Sequence, residues 1–213
     1  MKRIVAFFGA FNPPTLAHIQ LAQRAYEASG REGALFVPSK SAYIRNSQKK
    51  GFAFSDEERL KLLGDIASTR PWMRVTDWEM KQPDQPRTYR TLCHLRDEGY
   101  EPALLIGSDK LKEMDKSWLF VEEMAREFGI VCLHRGEDDL DAIIESSARL
   151  RPLKQHILLV DAPEGLRSIS SSLVRSKLDE MRRLRQELSA LVPEEIVNEI
   201  QYAYAKEDPR YEA

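Results

Sequence analysis

Cysteine is scarce in this sequence. The two cysteines, Cys93 and Cys132, lie far apart and do not show the spacing of a metal site. This pattern is typical of reduced thiols in the core of a cytosolic protein. We therefore expect no disulfide framework and no cysteine-based metal centre, and we expect the protein to be cytoplasmic.

Long apolar runs and an excess of one charge are also missing. No apolar stretch approaches the roughly 20 residues of a membrane-spanning helix. The N-terminal run, residues 4–8, is too short for the core of a signal peptide. The formal net charge of −2 provides no general positive field for nucleic acid. We therefore expect neither a membrane nor a nucleic acid as a partner, and an anionic ligand would require a local cluster of positive charge.

A regular alternation of strand and helix patterns runs along the 213 residues. Continuous apolar runs are typical of strands buried on both faces, and Ser55 and Glu58 have the spacing of a capping box at the start of a helix. The alternation predicts a Rossmann-like α/β fold, a doubly wound parallel sheet with helices on both faces. The predicted strands are residues 3–9, 34–39, 73–79, 102–109, 129–136 and 156–162; the predicted helices are 17–30, 54–68, 87–99 and 118–128; and 39–51 is a polar, basic loop.

The C-terminal part of the chain predicts two helices, interrupted at Pro193. No linker separates it from the rest, so we expect a single domain over 1–213, with a core to about residue 165 and a small helical appendage over about 166–213. These helices could pack on the core or on a second subunit. A homo-oligomer is therefore one of two arrangements that the sequence allows.

The stretch GAFNPPTLAH, residues 9–18, follows the first strand directly. Gly9 allows a sharp exit from the strand, and Pro13 and Pro14 restrict the shape of the loop. Thr15 and His18 are three residues apart and share one face of the first helical turn. Free backbone N–H groups at a helix N-terminus attract phosphate, and an imidazole there can stabilise charge on phosphorus. On spacing alone, an ordinary loop with a surface histidine is equally compatible.

A second polar stretch, SISSSLVR over residues 168–175, begins another predicted helix. Its serines can cap the helix and donate hydroxyl groups, and Arg175 can reach back with its planar guanidinium. This arrangement suits the phosphates of a nucleoside triphosphate, whereas the alternative is a plain cap with a surface arginine. Because ligands of doubly wound sheets bind at the carboxyl ends of strands, we expect both stretches and residues 107–109 to form one site.

Both stretches resemble signatures of the nucleotidyltransferase superfamily, in which a G-x-F-(D/N)-P loop precedes a His or Thr and then a His. The matching positions are Phe11, Asn12, Pro13, Thr15 and His18. Ala17 stands where most bacterial members have glycine, and ISSSLVR is similar to the second signature, ISSTxxR, with Ser172 for threonine. The resemblance implies catalytic roles for Thr15, His18 and Arg175. The ATP site that it implies consists of Gly9, Ala10, Phe11, Asn12, His18, Gly107, Asp109, Ile169, Ser170, Ser171, Ser172 and Arg175.

Further segments resemble the nicotinamide/nicotinate mononucleotide adenylyltransferase family. In that branch a G-x-D turn binds the adenosine ribose, which would be Gly107 and Asp109 here, and tryptophans stack on the pyridine ring, which would be Trp118 and Trp78. Other mononucleotide contacts that the resemblance implies are Thr88 and Thr91, Arg135, and a cation of the basic loop, either Arg45 or one of Lys49 and Lys50.

The resemblance implies transfer of AMP from ATP to nicotinate or nicotinamide mononucleotide, with release of pyrophosphate. ATP and a pyridine mononucleotide would be the partners, and Mg²⁺ would be bound by the substrate. The choice between nicotinate and nicotinamide stays open. The alternatives are another acceptor such as phosphopantetheine, a cytidylyltransferase, and a nucleotide-binding regulator without turnover.

Overall fold

A computed structural model describes residues 1–46, 53–134, 139–163, 165–166, 169–179 and 188–207 of the chain. Among these residues, no helix has the length and the apolar character that crossing a bilayer requires.

Six strands form one sheet in the order β3-β2-β1-β4-β5-β6. Three adjacent pairs of strands are parallel: β1 with β4, β4 with β5, and β5 with β6. The chain crosses from β3 at one edge to β4 beside β1, so the strand order reverses between β1 and β4. This order is that of a doubly wound Rossmann sheet and confirms the predicted fold class. The strands are β1 (Lys2–Gly9), β2 (Ala34–Pro38), β3 (Met73–Val75), β4 (Tyr100–Gly107), β5 (Ile130–His134) and β6 (Ile157–Asp161).

Helices follow the strands along the chain. The described ones are α1 (Leu16–Ala28), α2 (Ser41–Asn46), α3 (Asp56–Ser68), α4 (Trp78–Lys81), α5 (Thr88–Asp97), α6 (Ser108–Ser117), α7 (Val121–Glu123), α8 (Leu140–Ser146), α9 (Ser171–Asp179) and α10 (Val197–Glu207). The predicted capping box is present at α3, where the Ser55 side chain accepts from the Glu58 N–H and the Glu58 carboxylate accepts from the Ser55 N–H.

The chain divides into two compact units. The first unit consists of Met1–Phe8, Leu21–Leu35 and Pro86–Glu164, and the second of Gly9–Gln20, Phe36–Gln85 and Gly165–Ala213. The first unit contains most of β1 together with β4, β5 and β6. The second contains the loop after β1, α3 and the C-terminal helices. That the whole chain is one domain stays a prediction.

The third strand is shorter than predicted. It ends at Val75, and Trp78 begins the short helix α4 instead of lying in a strand. The Thr76 hydroxyl accepts a hydrogen bond from the Trp78 N–H at 3.3 Å, which turns the backbone away from the sheet.

Two helices lie where the sequence predicts irregular structure. Helix α2 falls within the predicted basic loop and buries Ser41 and Ile44. Helix α6 follows β4 at once and buries Leu111 and Met114 among charged residues. Two apolar residues in a ten-residue helix are too few to produce a clear helical period, so the sequence assigns no helix there and predicts that the preceding strand runs on to residue 109.

The predicted helix at 118–128 begins later than expected, at Val121, because Phe120 has a left-handed backbone with φ of 60°. It then continues as a π-helical turn over Met124–Phe128.

The C-terminal helix α10 packs on α3 of the same chain. As predicted, the helical part is interrupted at Pro193, which precedes a single 3-10 turn over Glu194–Ile196. Arg70 lies 2.9 Å from Glu195, and Lys61 lies 2.5 Å from Glu199. Within the second unit, these ion pairs connect the end of the described chain to α3 and to Arg70 just beyond it.

Candidate active site

The loop after β1 has a tightly packed, unusual backbone. Phe11 has a φ of 44°, which is rare for a bulky residue, and its ring is buried. A Cβ added to Gly9 would lie 3.0 Å from Cζ of that ring, so any larger residue there would require the buried Phe11 ring to shift. The following Asn12–Pro13 peptide bond is cis. A left-handed non-glycine residue persists only where surrounding contacts hold it, and such residues cluster at functional sites.

Thr15 orients the His18 imidazole. The Thr15 backbone N–H donates to Nδ1 of His18 at 3.0 Å, and the Thr15 hydroxyl lies 2.7 Å from the same nitrogen. A backbone N–H can only donate, so Nδ1 is an acceptor and the proton of the neutral ring is on Nε2. The Phe11 ring packs edge-on against the imidazole, with ring centroids 5.2 Å apart. His18 therefore presents an N–H donor in a defined direction, as charge stabilisation at phosphorus requires.

The two predicted phosphate-binding stretches meet in the second unit. The Ser171 hydroxyl donates to the Pro13 carbonyl at 2.7 Å, and Nη1 of Arg175 donates to the Asn12 carbonyl at 2.7 Å. Nη2 of Arg175 also donates to the Ser172 hydroxyl at 3.0 Å. A guanidinium thus lies against the loop that carries His18, although the two stretches are far apart in the sequence.

Ser170 caps α9, as the sequence predicts. Its hydroxyl accepts from the Leu173 N–H at 3.1 Å. Ser170 and Ser172 are exposed, whereas Ile169 is half-buried.

The tip of α1 differs from expectation. The Leu16 N–H donates to the Leu191 carbonyl at 2.9 Å, and the Thr15 N–H is used by His18. The expectation of free N–H groups for phosphate is wrong at these two positions, because the C-terminal segment and the imidazole already accept from them. The imidazole is therefore a better candidate for phosphate binding than these amides.

The ribose candidates lie in the first unit, at the end of β4. Phe7 pairs with Leu105 in parallel register, so the carboxyl ends of β1 and β4 are neighbours. Gly107 is the last residue of β4, and Asp109 is exposed in the first turn of α6. Asp109 is accessible to a ligand, as binding of a ribose requires.

The candidates for pyridine binding differ in exposure. In the first unit, Trp118 follows α6 and is half-buried, Thr88 is half-buried at the start of α5, and Thr91 is fully buried. In the second unit, Trp78 is half-buried at the start of α4, and Arg45 is exposed in α2. The predictions for Lys49, Lys50 and Arg135 lie outside the described residues.

A cytidylyltransferase-like family model matches residues 6–177 of the chain. The chain belongs to the cytidylyltransferase-like family. The match runs from within β1 into α9 and so includes both stretches, which meet at Asn12 and Pro13.

Curated relatives and solved structures agree with this family. The chain is 25% identical over 212 residues to "Probable nicotinate-nucleotide adenylyltransferase" of Staphylococcus epidermidis, covering 99% of this chain and 97% of that protein. It is 28% identical over 183 residues to "Nicotinamide/nicotinic acid mononucleotide adenylyltransferase" of Oryza sativa, covering 78% and 72%. The structure of Plasmodium falciparum nicotinic acid mononucleotide adenylyltransferase complexed with NaAD superimposes with a TM-score of 0.71, at 20% identity and over 95% of this chain and 96% of that one. This last similarity shows a shared fold.

Arg59 is a buried residue of this family member to which the sequence reading assigned no role. Its side chain is fully buried and donates to the Ala10 carbonyl at 2.7 Å. Counting from Arg59 along α3, the residues three, four and seven positions later are also buried; they are Leu62, Leu63 and Ile66. Arg59 thus occupies the apolar face of the helix, and this spacing is the signal that could have identified it.

Asp56 is the acidic partner of Arg59, at 2.6 Å. Burial acts to raise the pKa of Asp56, but hydrogen bonds from the Ser41 hydroxyl and N–H, together with the Arg59 charge, outweigh burial and lower that pKa below its ordinary value. Burial also lowers the pKa of Arg59, and the Asp56 carboxylate opposes this effect. The guanidinium nevertheless stays charged, as arginine does throughout proteins.

An aromatic contact in the first unit adjoins Trp118. The Phe120 ring stacks on Tyr89, with centroids 5.1 Å apart, and the Tyr89 hydroxyl donates to Glu127 at 2.8 Å. The hydrogen bond to Glu127 raises the pKa of Tyr89 to about 12. The stack ties the segment after Trp118 to the first turn of α5.

Among the described residues, no group of three or more His, Cys, Asp or Glu side chains could hold a metal ion.

Proposed function

We propose that this chain transfers the adenylyl group of ATP to nicotinate or nicotinamide mononucleotide, releasing pyrophosphate and forming a dinucleotide in NAD biosynthesis. Relatives named for this activity support the proposal over nearly the whole chain. The observation that carries it is the meeting of the two stretches: Arg175 binds the Asn12 carbonyl within the loop that orients His18. The cysteine pattern supports a cytoplasmic location.

The chemistry requires positioning and charge stabilisation. The phosphate of the mononucleotide attacks the α-phosphorus of ATP in line, the bond to the pyrophosphate oxygen breaks, and pyrophosphate leaves with the electron pair. His18, oriented by Thr15, donates its Nε2–H to an oxygen of the α-phosphate, where negative charge develops. Arg175 supplies a fixed positive charge beside the loop. Neither residue forms a covalent bond to the substrate.

Mg²⁺ would be bound by the phosphates of ATP. His18, Thr15 and Arg175 present an imidazole, a hydroxyl and a guanidinium, which suit phosphate oxygens, whereas Mg²⁺ prefers carboxylate, carbonyl and water oxygens. When bound, the ion neutralises charge on the triphosphate.

The remaining predicted residues recognise the two nucleosides. Asp109 accepts hydrogen bonds from the ribose hydroxyls of ATP. The indoles of Trp118 and Trp78 stack on the pyridine ring, and the Thr88 hydroxyl binds its carboxamide or carboxylate. The half-buried state of Trp118, Trp78 and Thr88 is compatible with these contacts, whereas full burial of Thr91 makes it the weaker candidate of the two threonines.

The test is pyrophosphate release from ATP and Mg²⁺ with nicotinate mononucleotide, nicotinamide mononucleotide and phosphopantetheine offered in parallel. We expect turnover with one or both pyridine mononucleotides and none with phosphopantetheine. Turnover with phosphopantetheine alone would overturn the assigned acceptor, and ATP binding without turnover would indicate a regulator.

The role of His18 is tested by His18→Ala. Loss of one oriented donor to developing charge should lower kcat by about 10²- to 10³-fold. His156→Ala, which alters a histidine of the first unit outside the proposed site, is the matched control and should retain activity. A His18→Ala variant as active as this control would remove the catalytic assignment.

A further inference from the structure

Arg59 connects three segments that are distant in the sequence. Its guanidinium donates to the carbonyls of Ala10 at 2.7 Å, Ser39 at 2.5 Å and Phe54 at 3.3 Å. These carbonyls belong to the loop after β1, the segment after β2 and the segment before α3, all in the second unit. Five N–H groups in a rigid planar fork allow arginine to hold several acceptors at once, which lysine cannot do.

Stability alone does not explain a charge at this position. Arg59 is fully buried, and its partner Asp56 is 34% exposed. Taking a charge out of water is unfavourable even in a real protein, and a well-packed apolar residue in place of a buried ion pair is often neutral or stabilising. The neighbouring positions of this helix face, Leu62, Leu63 and Ile66, are apolar. The arginine thus supplies geometry that an apolar residue would not.

Arg59 holds the loop after β1, which leads into α1 and His18. The Phe54 N–H donates to Oδ1 of the fully buried Asn12 at 2.9 Å, while the Phe54 carbonyl accepts from Arg59. The loop is therefore held at Ala10 and Asn12 from the side of α3. Because the Ala10–Phe11 peptide is planar and trans, binding of its carbonyl by Arg59 also sets the direction of the Phe11 N–H.

We propose that Arg59 is a positioning residue for adenylyl transfer. By binding the Ala10 carbonyl, it holds the backbone that orients Thr15 and His18, and it acts without touching the substrate. The proposal rests on the proposed function, in which this loop contacts the phosphates of ATP.

The expected kinetic signature is specific. Misplacement of a catalytic group by about 1 Å can cost about 10²-fold in rate. Loss of Arg59 should therefore lower kcat by about 10- to 10²-fold. The KM for the mononucleotide should change by less than about threefold, because none of the hydrogen-bond partners of Arg59 is proposed to contact the mononucleotide; those partners are Ala10, Ser39, Ser41, Phe54 and Asp56.

Arg59→Lys and Arg59→Met test the proposal. The lysine variant keeps the charge but cannot span the three carbonyls, and the methionine variant removes the charge as well. Arg70→Met is the matched control, since Arg70 follows the same helix and binds the Ile66 carbonyl and Glu195, both at 2.9 Å, without reaching the loop. It should lower the melting temperature but leave kcat within about twofold of the wild type at a temperature where all variants are folded.

Hydrogen exchange supplies a readout that does not depend on activity. In the full-length protein, Arg59→Lys should accelerate amide exchange in peptides that cover residues 9–15, whereas Arg70→Met should not. If Arg59→Met does not fold, Arg59→Lys and Asp56→Asn give the same comparison with smaller perturbations.

Two results would overturn the proposal: unchanged kcat and unchanged exchange in Arg59→Lys, or an equal loss of kcat in Arg70→Met, which would indicate general destabilisation. A failure of the proposed function is distinguishable from either. In that case the wild type turns over neither pyridine mononucleotide, while loop exchange still responds to Arg59→Lys.

Discussion

Replacing Thr15 with valine removes one hydroxyl and keeps the shape of a fully buried side chain. That hydroxyl lies 2.7 Å from Nδ1 of His18 and accepts from the His18 N–H at 3.4 Å. The shorter contact is the one that matters, because a hydrogen bond at 3.4 Å contributes little. The Thr15 backbone N–H remains at 3.0 Å from Nδ1, so the imidazole keeps its tautomer in the variant.

The size of the effect follows from this remaining contact. A side-chain hydrogen bond contributes about 1–1.5 kcal/mol net. If all of it serves to orient the imidazole in the transition state, kcat falls by about 5- to 13-fold in Thr15→Val. This loss is far below the loss of at least about 10²-fold expected for His18→Ala, in which the donor itself is absent.

The assay is pyrophosphate release at saturating ATP and mononucleotide, with Thr15→Ser as the matched control. Serine keeps the hydroxyl and loses only a methyl group, so kcat should stay within about threefold of the wild type. Equal losses in the serine and valine variants would mean that packing of the methyl group matters instead of the hydrogen bond. An unchanged kcat in Thr15→Val would refute the orientation of His18 by this hydroxyl.

Three further predictions concern stability. The lowered pKa of Asp56 means that its carboxylate stabilises the fold above the unfolded pKa of about 3.9, and that this contribution is lost as the pH falls through the lower folded value. In urea titrations, the difference in free energy of unfolding between wild type and Asp56→Asn should therefore become smaller below about pH 4. A difference that does not change with pH would contradict the ion pair with Arg59. Phe120 has a φ of 60°, and both Phe120→Gly and Phe120→Ala lose the stack on Tyr89, but only glycine adopts this backbone without strain. The free energy of unfolding of Phe120→Gly should therefore be about 1 kcal/mol higher than that of Phe120→Ala, and equal values would argue against strain. Ser55→Ala should lower the free energy of unfolding by about 1 kcal/mol through loss of the helix cap, and an unchanged thermal transition would show that the cap is dispensable.

Most strands of this protein were predictable because they are short apolar runs between polar segments, whereas β3, with Arg74 at its centre, was predicted too long. Such a run is unfavourable in water whatever its neighbours are, so burial in a parallel sheet follows from composition. The helix cap at Ser55 was predictable for a related reason, since both partners lie within one turn. Helix α6 was not predictable, because only two of its ten residues, Leu111 and Met114, are apolar.

The sequence also predicted which polar side chains share a helical turn. Spacing alone puts Thr15 and His18 on one helical face, and the structure joins them through Nδ1 of the imidazole. Arg59, by contrast, was hidden in a charged helix. A charged side chain on the apolar face of a helix is unfavourable unless hydrogen-bond acceptors surround it, and the acceptors of Arg59 come from segments elsewhere in the chain.

What the sequence by itself determined is therefore local: which stretches are strands, where α3 begins, and which side chains share a helical turn. Only the tertiary structure decided which donors reach which acceptors across long separations. Arg175 donates to the Asn12 carbonyl, and the Leu191 carbonyl accepts from the Leu16 N–H at the tip of α1, where phosphate was expected. The physical reason is that a backbone carbonyl or N–H is present at almost every residue. Composition cannot distinguish one from another, and only the path of the folded chain selects the partner.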